Sequence, residues 1–466
     1  MHHYRLLSNG RLIDAPLIFK VIDPATEEII GNAPDCTPGL LDDTVTAAQA
    51  AFPGWRETPI DARRERIEAL ANCIKNNAEE LARLLTAEQG RPLALARQEV
   101  LGCVHWCRTI AKMDLPESTR IDKAGVTWTT RRVPLGVVAA IVPWNFPFAL
   151  AVWKLAPALL AGNTVIVKPS PFTPLTALRL GELAADIFPA GVLNVLSGGD
   201  ALGPALTAHP GIAKVTFTGS TATGRRVMSS AAATLKRLTL ELGGNDAAIV
   251  MPDVDVAKVA RRLFMGAFMN SGQVCIAAKR IYVHDAIYDQ FAKAFVAAAE
   301  SATMGPGADE RTVLGPVQNR PQYERVKDLI EATHKAGHRF LTGGAVPEGP
   351  GFFIPPAVVD NPPDDARVVV EEPFGPLVPL LRFSEVDEVV RRANASEFGL
   401  GGSVWSADVE QAKAIGARLE TGTVWINNVQ LLDPLAPFAG RKQSGVGVEN
   451  GAEGLLEFTA IQTMVA

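Results

Sequence analysis

From residue 135 onward the chain alternates short apolar runs, each closed by Pro, Gly or Ser, with Ala/Leu-rich stretches of helical length. The runs are GVVAAIVP (136–143), TVIVKPS (164–170), GVLNVLSG (191–198) and KVTFTGS (214–220); the intervening segments are 148–162, 174–187, 201–209 and 222–235. Strands separated by helices at this spacing are joined by crossovers, which predicts a parallel, doubly wound sheet. Such sheets bind ligands beyond the carboxyl ends of their strands. Those ends carry Trp144, Lys168, Gly198 and Ser220. A second strand–helix series runs from about 245 to 430 through DAAIVM, KRIYVH, LVPLLRF and GTVWINN.

At 466 residues the chain exceeds what one core usually serves, so two or three domains are expected. A hydrophobic content of 47% with 20% charged residues is that of an ordinary globular protein. The net charge of −5 offers no footprint for nucleic acid or an anionic membrane. The start, MHHYRLLSNGRLI, lacks an apolar stretch of signal-peptide length, and no apolar run approaches a membrane span. A cytoplasmic, reducing compartment is therefore expected, with no membrane or nucleic-acid partner.

The five cysteines are too scattered for a disulfide framework. Cys103 and Cys107, around His105, read as small buried apolar residues on a helix, and without a CxxC pair or HExxH no metal is expected. Residues 40–110 are helical in pattern, with a stop at Gly90. Residues 117–133 alternate and suggest a projecting hairpin, while the tail from 450 reads as a final strand, LEFTAIQTMV. An exposed terminal strand commonly pairs with another subunit, so a homodimer or homotetramer is expected.

Several groups could carry chemistry. Cys275, in NSGQVCIAA, is flanked by a Gly turn and small residues. A free thiol is only a few per cent thiolate at neutral pH, so a nucleophilic Cys needs help. Glu241, in LTLELGGN, follows an apolar run and precedes two glycines, which places a carboxylate at a strand end where it could serve as a general base. In PWNFP two prolines fix the chain around Asn145, presenting its amide in one orientation, as a tetrahedral oxyanion requires. GSTATG, from Gly219 to Gly224, follows a strand and opens a helix, an arrangement that can cradle phosphate. Lys168, at a strand end just before Pro169, could reach ribose or phosphate. Taken singly, each has a structural alternative: a structural thiol, a surface turn, a rigid turn with a buried Trp, a turn that is not GxGxxG, a solvated rim charge.

Together they form a pattern. PWNFP, VKPS, FTGST, ELGGN, GQVC, EEPFGP and PFAGRKQSG occur in that order, and by them the chain resembles the non-acylating branch of the aldehyde dehydrogenase superfamily over nearly its full length. The resemblance implies an α/β fold of two doubly wound parallel-sheet domains plus a small β oligomerisation element. It places a Rossmann-like cofactor domain at 1–115 and 135–242, a catalytic domain at 243–443, and the bridging element at 116–134 and 444–466. It implies NAD(P)-dependent oxidation of an aldehyde to an acid, with Cys275 as nucleophile, Asn145 as oxyanion donor and Glu241 as activator of water. Lys168 and Glu372 match residues that bind the two riboses, and Phe374 lies on the nicotinamide side. Gly219, Ser220 and Gly224 match the pyrophosphate turn and its helix. Ile141, Trp144, Ser170 and Leu242 fall along the groove, with Gly199 and Gly203 on the adenine side. Phe146, Leu150, Trp153, Val274, Ile276, Leu431 and Phe438 should line the substrate pocket. All are apolar, with no arginine or lysine among them, which points to a neutral aliphatic or aromatic aldehyde.

The chain departs from the pattern at Pro171, where NAD-preferring members commonly carry a glutamate that repels a 2′-phosphate. The cofactor is therefore NAD or NADP, with a slight lean to NAD. Ala439 and Val448 are lesser departures that affect loop shape. A CoA-acylating relative, or a non-catalytic binding protein on the same fold, are the alternatives. Glu241 speaks against the first, and retention of thiol, base and amide together against the second.

Overall fold

A computed structural model describes residues 2–466. The expected alternation is present. An eight-stranded sheet runs in the order Arg11–Ile13, Leu6–Ser8, Leu193–Val195, Thr164–Lys168, Val137–Ile141, Lys214–Thr218, Arg237–Glu241 and Gly445–Val446. The five strands from Leu193–Val195 to Arg237–Glu241 are mutually parallel. Chain order reverses between Val137–Ile141 and Lys214–Thr218, and at such a switch point the loops diverge to leave a crevice. The loops that leave these two strands contain Trp144 and Asn145 on one side, and Gly219 and Ser220 on the other.

The second sheet runs Phe340–Thr342, Ala357–Asp360, Leu377–Phe383, Ala278–His284, Asp246–Val250, Gly401–Trp405, Thr423–Ile426. All its pairs are parallel except the first. A four-residue link (242–245) carries the chain from Glu241, at the carboxyl end of the first sheet, into Asp246, at the amino end of the second. Cys275 likewise precedes its strand, Ala278–His284. The carboxyl ends of the first sheet therefore face the amino ends of the second. The strand ends that meet this junction are carboxyl ends in the first sheet and amino ends in the second.

Helices Pro38–Glu57, Ile60–Asn76, Ala78–Gln89 and Leu93–Ile110 pack on the first sheet. Gly90 ends the third of them in the left-handed region at φ 91°, a conformation glycine adopts without strain. One large apolar cluster surrounds the first sheet, and two cover the faces of the second. A fourth, small cluster of Val274, Ile276, Ala277, Leu400, Trp425 and Phe438 lies against Cys275 itself.

A third sheet pairs Thr459–Val465 with Thr127–Pro134 and that strand with Ser118–Ile121, all antiparallel. The hairpin expected at 117–133 is there. The tail differs in its first half: Gly451–Leu456 is helical, and only from Thr459 does it extend. Asn450 and Gly451, both at positive φ, start that turn where alternation alone suggested a strand. No helix among the described residues is long and apolar enough to cross a membrane.

Candidate active site

Cys275 lies at the meeting of two cavities. One, of about 510 Å³, is lined by all seven residues expected for a substrate pocket (Phe146, Leu150, Trp153, Val274, Ile276, Leu431, Phe438), together with Asn145, Glu241, Leu242 and Cys275. The other, of about 120 Å³, is lined by Trp144, Asn145, Gly219, Ser220, Leu242, Glu372, Phe374 and Cys275. Thr218, Asn145, Leu242 and Cys275 belong to both walls. A larger groove of about 920 Å³ continues past Ser220, Arg325 and Glu372 between the first turn of helix Thr221–Ala232 and the loops of the second sheet.

The loop that carries Cys275 is held in a conformation few sequences adopt. Asn270, Ser271 and Gly272 lie at φ 53°, 54° and 73°. A Cβ on Gly272 would stand 2.2 Å from the carbonyl oxygen of Gly375, so only glycine fits. Left-handed non-glycine residues cost on the order of 1–3 kcal/mol each and persist where their surroundings over-determine them. Here Ser271 Oγ donates to the Gly315 carbonyl (2.6 Å), and Gln273 Nε2 to that of Asn270 (2.8 Å). The Gln318 amide donates to Gln273 Oε1 (2.8 Å).

Asn145 is buried, and its Nδ2 donates to the Gln273 carbonyl at 3.0 Å. One amide hydrogen anchors the group to the loop that carries Cys275, leaving the other for the cavity. Its own carbonyl accepts from Arg91 and from Asn270 Nδ2 (3.2 Å). Arg91 also pairs with Glu99, and its guanidinium lies 4.3 Å above the Phe146 ring. Glu99 in turn accepts the Ala149 amide (2.9 Å), satisfying an otherwise orphaned N–H in the first turn of helix Pro147–Leu160. The expectation of a pocket without arginine is thus corrected: Arg91 lines it, but its charge is committed to Glu99.

Glu241 is buried with neither carboxylate oxygen hydrogen-bonded. Burial drives its pKa well above the ordinary carboxylate range, the nearby Glu449 adds to this, and Lys154 opposes it. Burial also pushes the Cys275 thiol up to about 12, with Lys279 pulling the other way. The thiol is therefore not intrinsically activated in this state.

The remaining expected cofactor residues line neither cavity. Ile141 closes its strand, Ser170 follows Lys168, and Gly224 packs so closely that a Cβ would meet Leu242 at 2.5 Å. Lys168 is buried, donates to the Pro169 carbonyl (3.0 Å) and is lowered to about 8 by desolvation. Gly203 leaves room beside it, since a Cβ there would stand 3.9 Å from Lys168 Cε. The Gly199 amide donates to Asp35 (3.1 Å), a residue of the hairpin Leu17–Ile22 and Ile29–Asp35. Cys103 and Cys107 are buried on their helix as expected, though Cys103 also reaches the larger cavity. No cluster of metal-binding side chains occurs among the described residues.

Sequence reasoning missed Arg91, Glu99, Lys154, Glu449 and Lys279. Lys154 with Glu449 and Lys279 with Glu372 are pairs between distant positions, Arg91 and Glu99 join a loop to the helix after it, and no local motif announces any of them.

The chain so far is an α/β protein whose cysteine sits between an apolar pocket and the switch-point crevice of a doubly wound sheet. The Aldehyde dehydrogenase family model matches residues 14–464. Aldehyde dehydrogenase LUC3 of a Fusarium species is 44% identical over 439 residues, covering 94% of this chain and 93% of that protein. Phenylacetaldehyde dehydrogenase of Pseudomonas fluorescens is 38% identical over 487 residues, covering 99% and 95%. The NAD+ complex of aldehyde dehydrogenase from Bacillus cereus superposes with a TM-score of 0.97 at 35% identity, covering 100% of this chain and 96% of that one. The chain belongs to the aldehyde dehydrogenase family.

Proposed function

We propose that this enzyme oxidises a neutral aliphatic or aromatic aldehyde to the carboxylic acid, with NAD or NADP as hydride acceptor and Cys275 as nucleophile. The observation that carries this reading is that Cys275 and Asn145 are shared by the two cavities, so one thiol can meet reactants arriving from opposite sides.

The residues of the smaller cavity fit a dinucleotide. Ser220 caps helix Thr221–Ala232 by accepting the Thr223 amide, which leaves the first-turn amides of Thr221 and Ala222 for an anion. Gly243 has no side chain where a Cβ would stand 2.3 Å from Glu372 Oε2, so that carboxylate can lie against the cleft wall and accept ribose hydroxyls. Lys168, beside Gly203, supplies a cation toward the other ribose. When bound, the nicotinamide accepts the hydride.

The chain's own groups account for the rest. The Cys275 thiol gives its proton to solvent water, its ionised form favoured by Lys279, and the thiolate attacks the aldehyde carbon, forming a C–S bond and an oxyanion. The free amide hydrogen of Asn145 and the Cys275 backbone N–H receive that oxyanion; one such donor lowers a barrier by roughly 2.7–4 kcal/mol. Loss of hydride leaves a thioester on Cys275. Glu241, on the wall of the larger cavity, takes a proton from water as the water attacks the thioester, and the acid departs with the thiol restored. Glu241 must first ionise, and of the buried Lys154–Glu449 pair beside it Lys154 favours that ionisation while Glu449 opposes it.

The pocket wall favours flat or chain-like apolar substrates. Trp106 and Trp153 stack at 4.9 Å and 13°, presenting a rigid apolar surface. An exposed strand bearing Ile461 and Val465 supports assembly into a homodimer or homotetramer, and we place the enzyme in the cytoplasm. Purified protein mixed with a panel of aliphatic and aromatic aldehydes should produce reduced nicotinamide absorbance and free acid without added CoA. No reduced nicotinamide with any aldehyde would reject the reading, and a requirement for CoA would favour the acylating alternative.

A further inference from the structure

Lys279 stands four residues beyond Cys275, at the start of strand Ala278–His284, and is almost wholly buried. Its Nζ donates to the Cys275 carbonyl (2.6 Å), the Gly244 carbonyl (2.7 Å) and Glu372 Oε1 (2.9 Å). An ammonium has three hydrogens, and here all three are used. The acceptors come from three different segments: the nucleophile loop, the link between the two large sheets, and the EEPFGP turn. Glu372 Oε1 takes a second bond from the Gly244 amide (3.1 Å), while Oε2 points at Gly243 on the cleft wall. Phe374, from the same turn, has its ring 5.7 Å from Nζ.

We propose that Lys279 is the positioning residue of this active site: one ammonium fixes the nucleophile's backbone, holds Glu372 toward the cofactor cleft, and lends its charge to the Cys275 thiolate. This rests on the nucleophile reading given above. The charged groups that act on Cys275 are Lys279, Asp246, Glu241 and Glu372. The three carboxyl groups oppose a thiolate and Lys279 alone favours it. Behind them, Asp246 accepts the Gly401 amide at 3.1 Å and is itself pulled toward ionisation by Lys279. A buried ammonium that donates to two carbonyls and a carboxylate at once ties those three segments to one point. Neutralising it loosens the nucleophile loop and the cofactor carboxylate together.

The test uses cofactor-free protein. The rate of Cys275 alkylation by iodoacetamide is followed from neutral to alkaline pH, and the Kd values of NAD+ and NADP+ are measured by titration. Lys279→Gln keeps a donor but removes the charge. It should slow alkylation about tenfold across the range, the effect of one unit in thiol pKa, and weaken both cofactors. Lys279→Arg should restore most of the alkylation rate. Glu372→Gln, which removes the carboxylate opposing the thiolate and offsetting Lys279, should speed alkylation and provides the reading if Lys279→Gln does not fold. Alkylation of folded Lys279→Gln at the wild-type rate would overturn the proposal, as would Lys279→Arg as slow as Gln, or an unchanged Glu372→Gln. If alkylating Cys275 leaves aldehyde oxidation intact, the nucleophile reading itself falls. If alkylation abolishes oxidation and Lys279→Gln labels normally, only the role of Lys279 falls.

Discussion

The buried ammonium of Lys154 pairs with Glu449 and not with Glu241, although it opposes the raised pKa of the Glu241 carboxyl, neither oxygen of which is hydrogen-bonded. Lys154 also donates to Thr218 Oγ1 (2.7 Å), so two of its three hydrogens go to groups other than Glu241. Glu241 is thus kept close to a cation without being neutralised by it. A carboxylate so placed can hold a proton at rest and release it when the site demands a base.

Replacing Lys154 by Met leaves Glu449 buried and unpaired. Removing one member of a buried ion pair typically costs about 3–5 kcal/mol, so the melting temperature should drop clearly at neutral pH. The pH at which acid release accelerates should move upward, because the one cation opposing the shift of Glu241 is gone. A stable variant with an unchanged pH profile would show the pair to be incidental.

Glu241→Gln should permit one round of hydride transfer and then stall at the thioester. A burst of reduced cofactor followed by a slow steady state is the expected trace, and an unaltered steady rate at neutral pH would remove Glu241 from the base role.

The same variant tests linkage. A native pKa raised above that of the unfolded chain means that Glu241 retains a proton the unfolded chain gives up, so its contribution to stability is full below the unfolded pKa, about 4.3, and is lost as pH rises through the native value. Glu241→Gln does not titrate. Its stability relative to wild type should therefore increase with pH above that point, measured by denaturant melts from acidic to alkaline buffer.

Asn145→Ala should lower kcat by about 10²–10³ with a smaller effect on KM, the signature of a donor used in the transition state. Asn145 also anchors to Gln273, so a circular-dichroism melt should accompany the kinetics. A kcat within a factor of about three of wild type (under ~1 kcal/mol) would reject the oxyanion role.

Pro171→Glu places a carboxylate three residues after the buried Lys168. Like charge against a 2′-phosphate costs several kcal/mol in an interface, so kcat/KM with NADP should fall by at least about tenfold, equivalent to ~1.4 kcal/mol. Activity with NAD should be retained. Equal losses with both cofactors would mean that the position does not face the 2′ oxygen.

The strand–helix alternation was readable because periodicity is local: Val137–Ile141, Thr164–Lys168 and Lys214–Thr218 were all expected within a residue or two. The tail was misread over Gly451–Leu456 because short apolar runs carry no distinct period and the turn depends on left-handed Asn450. Motif blocks named Cys275, Glu241 and Asn145, and all seven expected pocket residues do line one cavity. No motif marked Arg91, whose partner Glu99 lies on the next helix and whose other acceptor, the Asn145 carbonyl, comes from a distant loop.

The order of residues by itself determined a parallel, doubly wound architecture and the chemistry of thiol, carboxyl and amide, since both follow from local pattern and functional-group type. What the tertiary structure decided was their state. Burial raises both Cys275 and Glu241, and the charges that oppose it, Lys279 and Lys154, arrive from positions the motifs do not mark. Desolvation and Coulomb interaction depend on distances through space, and those exist only once the two sheets are set end to end.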